Sequence, residues 1–352
     1  MFFASDNSGP VAPEIMAALA EANRGYAMAY GNDETTARAQ SRLRDVFEAP
    51  DAVVHFVITG TAANSLALAT LANPWDAIFC HRDAHIMMSE ANAPEFYSNG
   101  AKLVGVDGPS GKIDAVALHA AMMNFESGGV KDVQRGPVSL TQVTDLGGVY
   151  NLEEIRAVTK VAKSFDAPCH LDGARFANAL VALGCTPAEM TWKSGIDAVS
   201  FGGTKNGLMG VEAVIFFDPA RSREFQLRRM RGAHLLSKNR FLAAQMLAYL
   251  QDDLWLDLAR KSNAAAARLE RAVKGLPGAE IYHQRDANMI FAGWTRQGHI
   301  NARKAGAAYY LAHNATLEGR PDEIVGARLV CNWATTDDDI ASFVAAAHTN
   351  AT

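Results

Sequence analysis

The sequence contains little cysteine, and its cysteines form no recognisable pattern. Four occur in 352 residues, namely Cys80, Cys169, Cys185 and Cys331. They are widely spaced, lie mostly in apolar strand-like segments, and include no Cys-x-x-Cys pair. We therefore expect buried free thiols and no metal site of the zinc type.

Long hydrophobic runs and clusters of one charge are absent as well. Residues 1–7 (MFFASDN) lack a basic region followed by an apolar stretch, and no later segment is an apolar run of membrane length. The formal net charge is -5, without a block of Lys and Arg that would attract nucleic acid. We expect a soluble, cytoplasmic protein with neither a membrane nor a nucleic-acid partner.

Apolar strand-like runs alternate with helical patterns through the first two thirds of the chain. With 49% hydrophobic and 20% charged residues, the chain can bury a large core in two domains. The alternation predicts a mainly parallel α/β sheet with helices on both faces. Predicted strands cover residues 53–60, 77–80, 102–106, 137–144, 169–172, 198–201 and 213–217, and predicted helices cover 14–23, 114–123, 152–165 and 176–183.

The composition changes after residue 217. A basic run at 221–231 precedes a long helical stretch from 238 towards 274, which ends at Gly275 and Pro277. Short strands are predicted near 281–282, 289–292 and 328–332, and a last helix from Thr336. We predict a large domain with an N-terminal arm over residues 1–230. Residues 231–352 would form a long linking helix and a small C-terminal domain.

Residues 198–210 (AVSFGGTKNGLMG) carry the most informative motif. An apolar strand ends in small residues, and Lys205 follows where the backbone is free to turn. A lysine in this setting can attack a carbonyl, and pyridoxal phosphate (PLP) is the cofactor most often held in this way, as a Schiff base. The alternative is a solvated loop lysine.

A carboxylate follows another predicted strand upstream. Within residues 167–175 (APCHLDGAR), Cys169 to Leu171 are predicted to form a short buried strand that delivers Asp172 at its carboxyl end. This is the edge where open parallel sheets bind ligands. Such an acid could pair with the ring nitrogen of the cofactor. Lys205 and Asp172 together favour chemistry over a surface role for the lysine.

Two further turns suit the same site. Gly60 and Thr61 connect a strand to a helix, where free N–H groups and the helix dipole could hold a phosphate; an ordinary strand-to-helix turn is the alternative. His85 belongs to the polar cluster 81–85 and could stack on a pyridine ring or move protons. A purely structural histidine remains the alternative.

With these residues in place, the chain resembles the low-specificity threonine aldolases, PLP enzymes of the aspartate-aminotransferase fold. The motifs occur in family order over nearly the whole chain. They are residues 3–7 (FASDN), 29–33 (AYGND), 60–66 (GTAANSL), 84–85 (AH), 93–96 (APEF), 171–175 (LDGAR), 201–207 (FGGTKNG) and 326–328 (GAR). The resemblance implies PLP fold type I, with a mainly parallel seven-stranded sheet and a smaller α/β C-terminal domain.

The resemblance also implies a role for each matching residue. Lys205 would bond to the cofactor, Asp172 would pair with the ring nitrogen, and His85 would stack on the ring. Gly60 and Thr61 would hold the phosphate. Substrate binding would fall to Ser5, Tyr30, Arg175 and Arg328, with Arg175 bordering the cofactor as well and Tyr30 reaching the site across a subunit boundary of a homodimer or homotetramer.

The implied activity is cleavage of threonine, allo-threonine, phenylserine or a related β-hydroxy-α-amino acid to glycine and an aldehyde. His85, directly or through water, is the candidate base. A serine hydroxymethyltransferase, a β-lyase or an aminotransferase could use the same lysine and aspartate, and a non-catalytic cofactor-binding module is a further alternative. A nicotinamide dehydrogenase would require a Gly-x-Gly-x-x-Gly fingerprint, which the turn at Gly60 lacks.

The chain departs from this pattern directly after His85. Residues 86–89 (IMMS) stand where the family pattern in bacteria has a more acidic run, and this segment could border the substituent on the substrate's β-carbon. The departure bears on side-chain preference rather than on the cofactor. Alternatively, Met87 and Met88 simply fill the core.

Overall fold

The computed structural model of the chain describes residues 1–125 and 129–348. The strands are β1 Val53–Val57, β2 Asp76–His81, β3 Lys102–Val106, β4 Gln134–Thr141, β5 Cys169–Gly173, β6 Ala198–Gly202, β7 Glu212–Phe216, β8 Glu280–Ile281, β9 Met289–Thr295, β10 Tyr310–Leu311 and β11 Ile324–Val330. The α-helices are α1 Pro13–Ala22, α2 Glu34–Val46, α3 Gly60–Leu71, α4 His85–Met88, α5 Ala93–Tyr97, α6 Ala115–Met123, α7 Leu152–Ser164, α8 Phe176–Leu183, α9 Pro187–Met190, α10 Ser222–Arg231, α11 Arg240–Leu250, α12 Leu254–Val273, α13 Arg296–Lys304 and α14 Asp337–His348.

Seven strands form one large, mostly parallel sheet in the order β1-β7-β6-β5-β4-β2-β3. Strand β7 pairs antiparallel with both β6 and β1, whereas β2 to β6 pair in parallel. The carboxyl ends of β1 and β6 and the amino end of β7 therefore meet at one edge. This confirms the predicted fold class and places the ends of several strands next to each other.

Both faces of the large sheet are covered, because neighbouring residues of one strand enter different apolar clusters. Val54 and Phe56 of β1 belong to the main core, whereas Val53 and Val57 face a second cluster with α3 and α10. Successive side chains of a strand point to opposite faces, so a strand that buries both must lie between two layers of helices.

The predicted single helical stretch from residue 238 towards 274 is wrong, because the structure divides it into α11 and α12. Asp252 and Asp253 separate the two helices with left-handed backbone angles, φ 49° and 56°. A left-handed residue interrupts the right-handed ladder of hydrogen bonds, and aspartate tolerates that conformation better than most residues do. The other predicted strands and helices are found within a few residues of their expected bounds.

A smaller antiparallel sheet follows in the order β10-β11-β9-β8, with its own apolar cluster. The N-terminal arm joins it, since Phe3 packs edge-on against Phe343 at 5.3 Å and accepts a hydrogen bond from Val330 N at 2.8 Å. Helix α11 packs in the core of the large sheet, whereas the second half of α12 packs with the small one. The predicted boundary between the two domains, at residues 230 and 231, stays a prediction.

The four cysteines are free thiols, as predicted, and three of them are buried, namely Cys80, Cys169 and Cys331. Burial raises the pKa of each of these three to about 12, so they remain protonated and inert at neutral pH. In the part of the chain that the structure describes, no helix has the length and apolar character needed to span a bilayer.

Candidate active site

A cavity of about 240 Å³ lies at the edge where the parallel strands end. Of the nine residues predicted for the site, six line this cavity: Gly60, Thr61, His85, Asp172, Arg175 and Lys205. The structure thus brings together groups that are far apart in the sequence.

Lys205 lies in a short 3-10 turn, Thr204–Asn206, directly after β6. The side-chain amide of Asn206 donates hydrogen bonds to Tyr249 Oη at 2.7 Å and to the Trp255 carbonyl at 2.8 Å. Gly207 ends the turn with φ 96°, a conformation that a residue with a Cβ rarely adopts. The lysine is therefore presented from a turn that α11 and α12 hold in place.

The ends of β5, which carries Asp172, and of β6, which precedes Lys205, approach each other closely because β6 ends in glycine. A Cβ at Gly202 would lie 2.7 Å from the Ala174 carbonyl oxygen, which is closer than real Cβ contacts allow. Any larger residue would push the two strand ends apart. The Gly-Gly pair before the lysine is thus a packing requirement of the site as well as a turn signal.

Asp172 is buried, and protein donors fix both of its carboxylate oxygens. Its Oδ1 accepts from Ala174 N at 3.0 Å, and its Oδ2 accepts from Asn64 Nδ2 at 2.9 Å. Asn64 also donates to Glu90 Oε1 at 3.1 Å. These hydrogen bonds fix the orientation of the carboxylate before any ligand binds. A fixed orientation is what an acid needs if it is to pair with one particular ring nitrogen.

His85 begins α4 and contacts two acids. Its Nδ1 donates to Glu90 Oε1 at 2.8 Å, and its backbone N–H donates to Asp145 Oδ2 at 2.9 Å. The hydrogen bond to Glu90 raises the pKa of His85, an effect that partial burial opposes. Because a carboxylate only accepts hydrogen bonds, Nδ1 carries the proton, and Nε2 of the neutral ring has the free lone pair.

The turn before α3 offers an anion-binding site. Thr59 caps the helix by accepting from Ala62 N at 3.2 Å, which leaves the first N–H groups, those of Gly60 and Thr61, without an intrahelical partner. Apart from the adjoining backbone, no atom of the described residues lies within 4 Å of the position that a Cβ of Gly60 would occupy. This open space beside free N–H groups fits a phosphate.

Two arginines lie near the cavity in different settings. Arg175 is buried and forms a two-point ion pair with Asp6, Nε to Oδ2 at 2.6 Å and Nη2 to Oδ1 at 2.9 Å. Burial alone would raise the pKa of Asp6, but Arg175 and Lys205 hold it below its ordinary value. Arg328 donates from Nη2 to the Ala4 carbonyl at 3.2 Å, while its buried Nε has no partner among the described residues.

Three of the predicted residues do not line the cavity. Ser5 accepts from Asn7 N at 3.2 Å and so caps the turn that carries Asp6. Tyr30 is 52% exposed in a left-handed conformation. Arg328 is close enough to Arg175 for the two charges to interact. The predicted roles of these residues remain predictions. Of the methionines after His85, Met87 packs against an apolar cluster behind β2, but Met88 is 67% exposed and does not fill the core.

Sequence reasoning missed five acidic and amide side chains that shape the site: Asp6, Asn64, Glu90, Asp145 and Glu212. All five are polar residues within or beside apolar stretches. Asp6 and Asn64 belong to motifs already singled out, and Glu212 opens the apolar strand β7. A search for lone charged residues at strand ends would have found Asp145 and Glu212, but not their partners.

The donor set fits PLP. A lysine follows one strand, a fixed carboxylate ends the neighbouring strand, a histidine lies beside them, and a free helix N-terminus faces the same cavity. Together with the seven-stranded sheet, these features define a PLP-dependent enzyme of fold type I.

Comparison with known proteins narrows this class. Residues 3–295 match the family model of the beta-eliminating lyases. A low specificity L-threonine aldolase from Pseudomonas aeruginosa is 40% identical over 95% of this chain and 93% of its own length. A threonine aldolase from Leishmania major superimposes with a TM-score of 0.90, at 26% identity over 98% of both chains. A structure of SPT with bound PLP shares the fold, with a TM-score of 0.67 at 17% identity. The chain belongs to the low-specificity L-threonine aldolase family, within the beta-eliminating lyases.

Proposed function

We propose that this protein cleaves L-threonine, L-allo-threonine, phenylserine or related β-hydroxy-α-amino acids to glycine and an aldehyde, with PLP as cofactor. The observation that carries the proposal is the meeting of Lys205, Asp172 and the free turn at Gly60 and Thr61 in one cavity. Family membership supplies the reaction class, a carbon–carbon lyase.

The two arginines suit the carboxylate of the substrate. The ion pair with Asp6 uses Nε and Nη2 of Arg175 and leaves Nη1 without a hydrogen bond to any residue that the structure describes. Arg328 has its buried Nε unpaired, and burial followed by the charge of Arg175 lowers the pKa of Arg328. An anion between the two guanidinium groups would satisfy these donors and relieve their mutual repulsion.

Holding the carboxylate fixes which bond of the substrate is broken. Bound PLP supplies an electron sink for the pair of electrons released when the bond between Cα and Cβ breaks. Arg175 and Arg328 would hold the substrate carboxylate in one orientation, and that orientation would decide which bond of the substrate breaks. Asp172 would pair with the ring nitrogen of the cofactor and keep it protonated, and Nε2 of His85, directly or through water, would take the proton of the β-hydroxyl as the aldehyde leaves.

Aldehyde release from the cofactor-loaded protein tests this function. L-Threonine, L-allo-threonine and L-phenylserine would be supplied without folate or 2-oxo acid, and glycine would be measured in parallel. Equal amounts of aldehyde and glycine are expected. Dependence on tetrahydrofolate or on a 2-oxo acid would instead identify a hydroxymethyltransferase or an aminotransferase, and ammonia with a keto acid would identify elimination.

The proposal extends to a cytoplasmic homodimer or homotetramer whose sites are shared between subunits. Tyr30, which is exposed in the single chain, would enter the cavity of a neighbouring copy. Mixing K205A with Y30A subunits tests this arrangement. A hybrid of two inactive variants should regain activity at one site if Lys205 and Tyr30 come from different chains, and no recovery in a demonstrated hybrid would refute the sharing.

A further inference from the structure

A buried carboxylate that the proposed reaction does not use lies in the same cavity. Glu212 is the first residue of β7 and is only 6% exposed. Its partners in the sheet are Val57, the last residue of β1, and Gly202, the last residue of β6. Because β7 runs against its neighbours, this amino-terminal residue lies at the edge where the two neighbouring strands end.

This position lies between two parts of the cofactor site. Beyond Val57 the chain continues into the turn at Gly60 and Thr61, and beyond Gly202 it continues to Lys205. Gly60, Thr61 and Lys205 line the cavity together with Glu212. One oxygen of the carboxylate, Oε2, accepts from Gly203 N at 2.9 Å. A carboxyl group therefore lines the same cavity as the proposed phosphate site.

Two anions in one buried space repel each other, and the carboxyl group can remove that repulsion by taking up a proton. Burial already raises the pKa of Glu212 to about 7 in the protein without ligand. The charged groups that act on it are Lys205, which favours its ionised form, and Asp172, which opposes ionisation. The hydroxyl of Tyr249 also feels its charge, but burial and Glu212 raise the pKa of Tyr249 and keep it neutral.

We propose that Glu212 is a proton-linked part of the cofactor site, which becomes protonated when the phosphate group binds at Gly60 and Thr61. The inference rests on the proposed phosphate site, but not on the retro-aldol reaction. In the free protein, the ionised carboxylate of Glu212 would balance the positive charge of Lys205. In the complex, the protonated carboxyl group would not repel the bound phosphate. Cofactor affinity then depends on pH through the protonation of Glu212.

The test is a count of protons taken up on binding. Pyridoxine 5′-phosphate is the probe, because it has the phosphate and ring but no aldehyde to react with Lys205. Calorimetry in buffers of different ionisation enthalpy gives the protons bound per site for wild type, for Glu212→Gln and for Glu280→Gln, a control in which an exposed glutamate is changed. Glutamine retains an acceptor for Gly203 N and mimics the neutral acid.

At pH 8 the wild type and the Glu280→Gln control should take up about one proton per site more than Glu212→Gln, whereas at pH 6 all three should agree. Above pH 7, the affinity of the wild type relative to Glu212→Gln should fall about tenfold for each pH unit. Equal proton counts at pH 8 would overturn the inference while leaving the cofactor site intact. Failure of the probe to bind any of the proteins would overturn the phosphate placement and the inference with it.

A second measurement does not depend on the variant. Infrared difference spectra of wild type with labelled glutamate should gain a protonated-carboxyl band when the probe binds at pH 8. Absence of this band despite saturation by the probe would equally refute the proton uptake.

Discussion

The buried pair of Asp6 and Arg175 allows a sharp prediction about stability. Asp6 is 3% exposed, both of its oxygens contact the guanidinium, and Asn288 donates a third hydrogen bond to it at 3.0 Å. In Asp6→Asn the guanidinium would stay buried, but its carboxylate partner would be gone. The amide of this variant would have one oxygen to accept hydrogen bonds, and its NH₂ group, which can only donate, would face the donors of Arg175 or Asn288.

Removing one partner of a buried ion pair lowers the free energy of unfolding by about 3–5 kcal/mol, since the remaining charge is left uncompensated. At 1.36 kcal/mol per factor of ten, this is roughly a 150-fold to 5,000-fold change in the folding equilibrium. The loss should be smaller in Asp6→Leu/Arg175→Met, which removes both charges and keeps apolar volume. The double variant should therefore be more stable than Asp6→Asn, although it lacks Arg175.

Urea unfolding followed by tryptophan fluorescence measures these differences at one protein concentration. Asp257→Asn is the matched control, because Asp257 pairs with Arg260 at 2.6 Å while both side chains are more than half exposed. Exposed pairs contribute little to stability, so this control should resemble wild type. The reasoning is refuted if Asp6→Asn and Asp257→Asn unfold alike, or if the double variant is less stable than Asp6→Asn.

Four further predictions concern the cavity. Lys205→Ala should fold normally but release no aldehyde, so near-normal turnover would exclude this lysine. Asp172→Asn should lower both PLP affinity and kcat/KM by about 10- to 100-fold, the scale of one hydrogen bond to a charged group; equal activity would mean that another acid pairs with the ring. Glu90→Gln should lower the pKa of His85 and move the acid limb of the pH profile of kcat/KM to lower pH; an unmoved limb would exclude His85 as the base. Burial raises the pKa of Glu212 from 4.5 to about 7, so between these pH values the folded protein binds a proton that the unfolded chain does not. The free energy of unfolding should therefore fall by about 3 kcal/mol as the pH rises from 4.5 to about 7. Urea unfolding of the cofactor-free Glu212→Gln variant should lack this contribution.

The sequence predicts the fold because local and long-range requirements agree in most segments. The β-branched run at Val53–Val57, followed by a threonine cap and an alanine-rich helix, fits a strand and a helix whatever the rest of the chain does. The rule that parallel strands present ligands at their carboxyl ends then places Asp172 and Lys205 at one edge. Their convergence in one cavity follows from that topology.

The remaining features depend on contacts that no local pattern encodes. The pair of Asp6 and Arg175 joins residues 169 positions apart. The break between α11 and α12 depends on two left-handed aspartates, whereas a sequence of helix formers continues on both sides. Nothing in the sequence of β7 gives its direction, and that direction decides whether Glu212 lies at the site or at the opposite edge of the sheet.

The charges of the cavity explain why a substrate would bind in one orientation. Glu90, Asp145, Asp172 and Glu212 all line it, and each accepts a hydrogen bond from a donor of the protein itself. Since Glu90 and Asp172 are held in place before a ligand enters, a substrate carboxylate meets repulsion near them. If Lys205 bonds to the cofactor, the remaining attraction for the carboxylate comes from Arg175 and from Arg328, whose charge interacts with that of Arg175. The β-hydroxyl, which is neutral and can donate, is then left to face His85 and the acids that hold it.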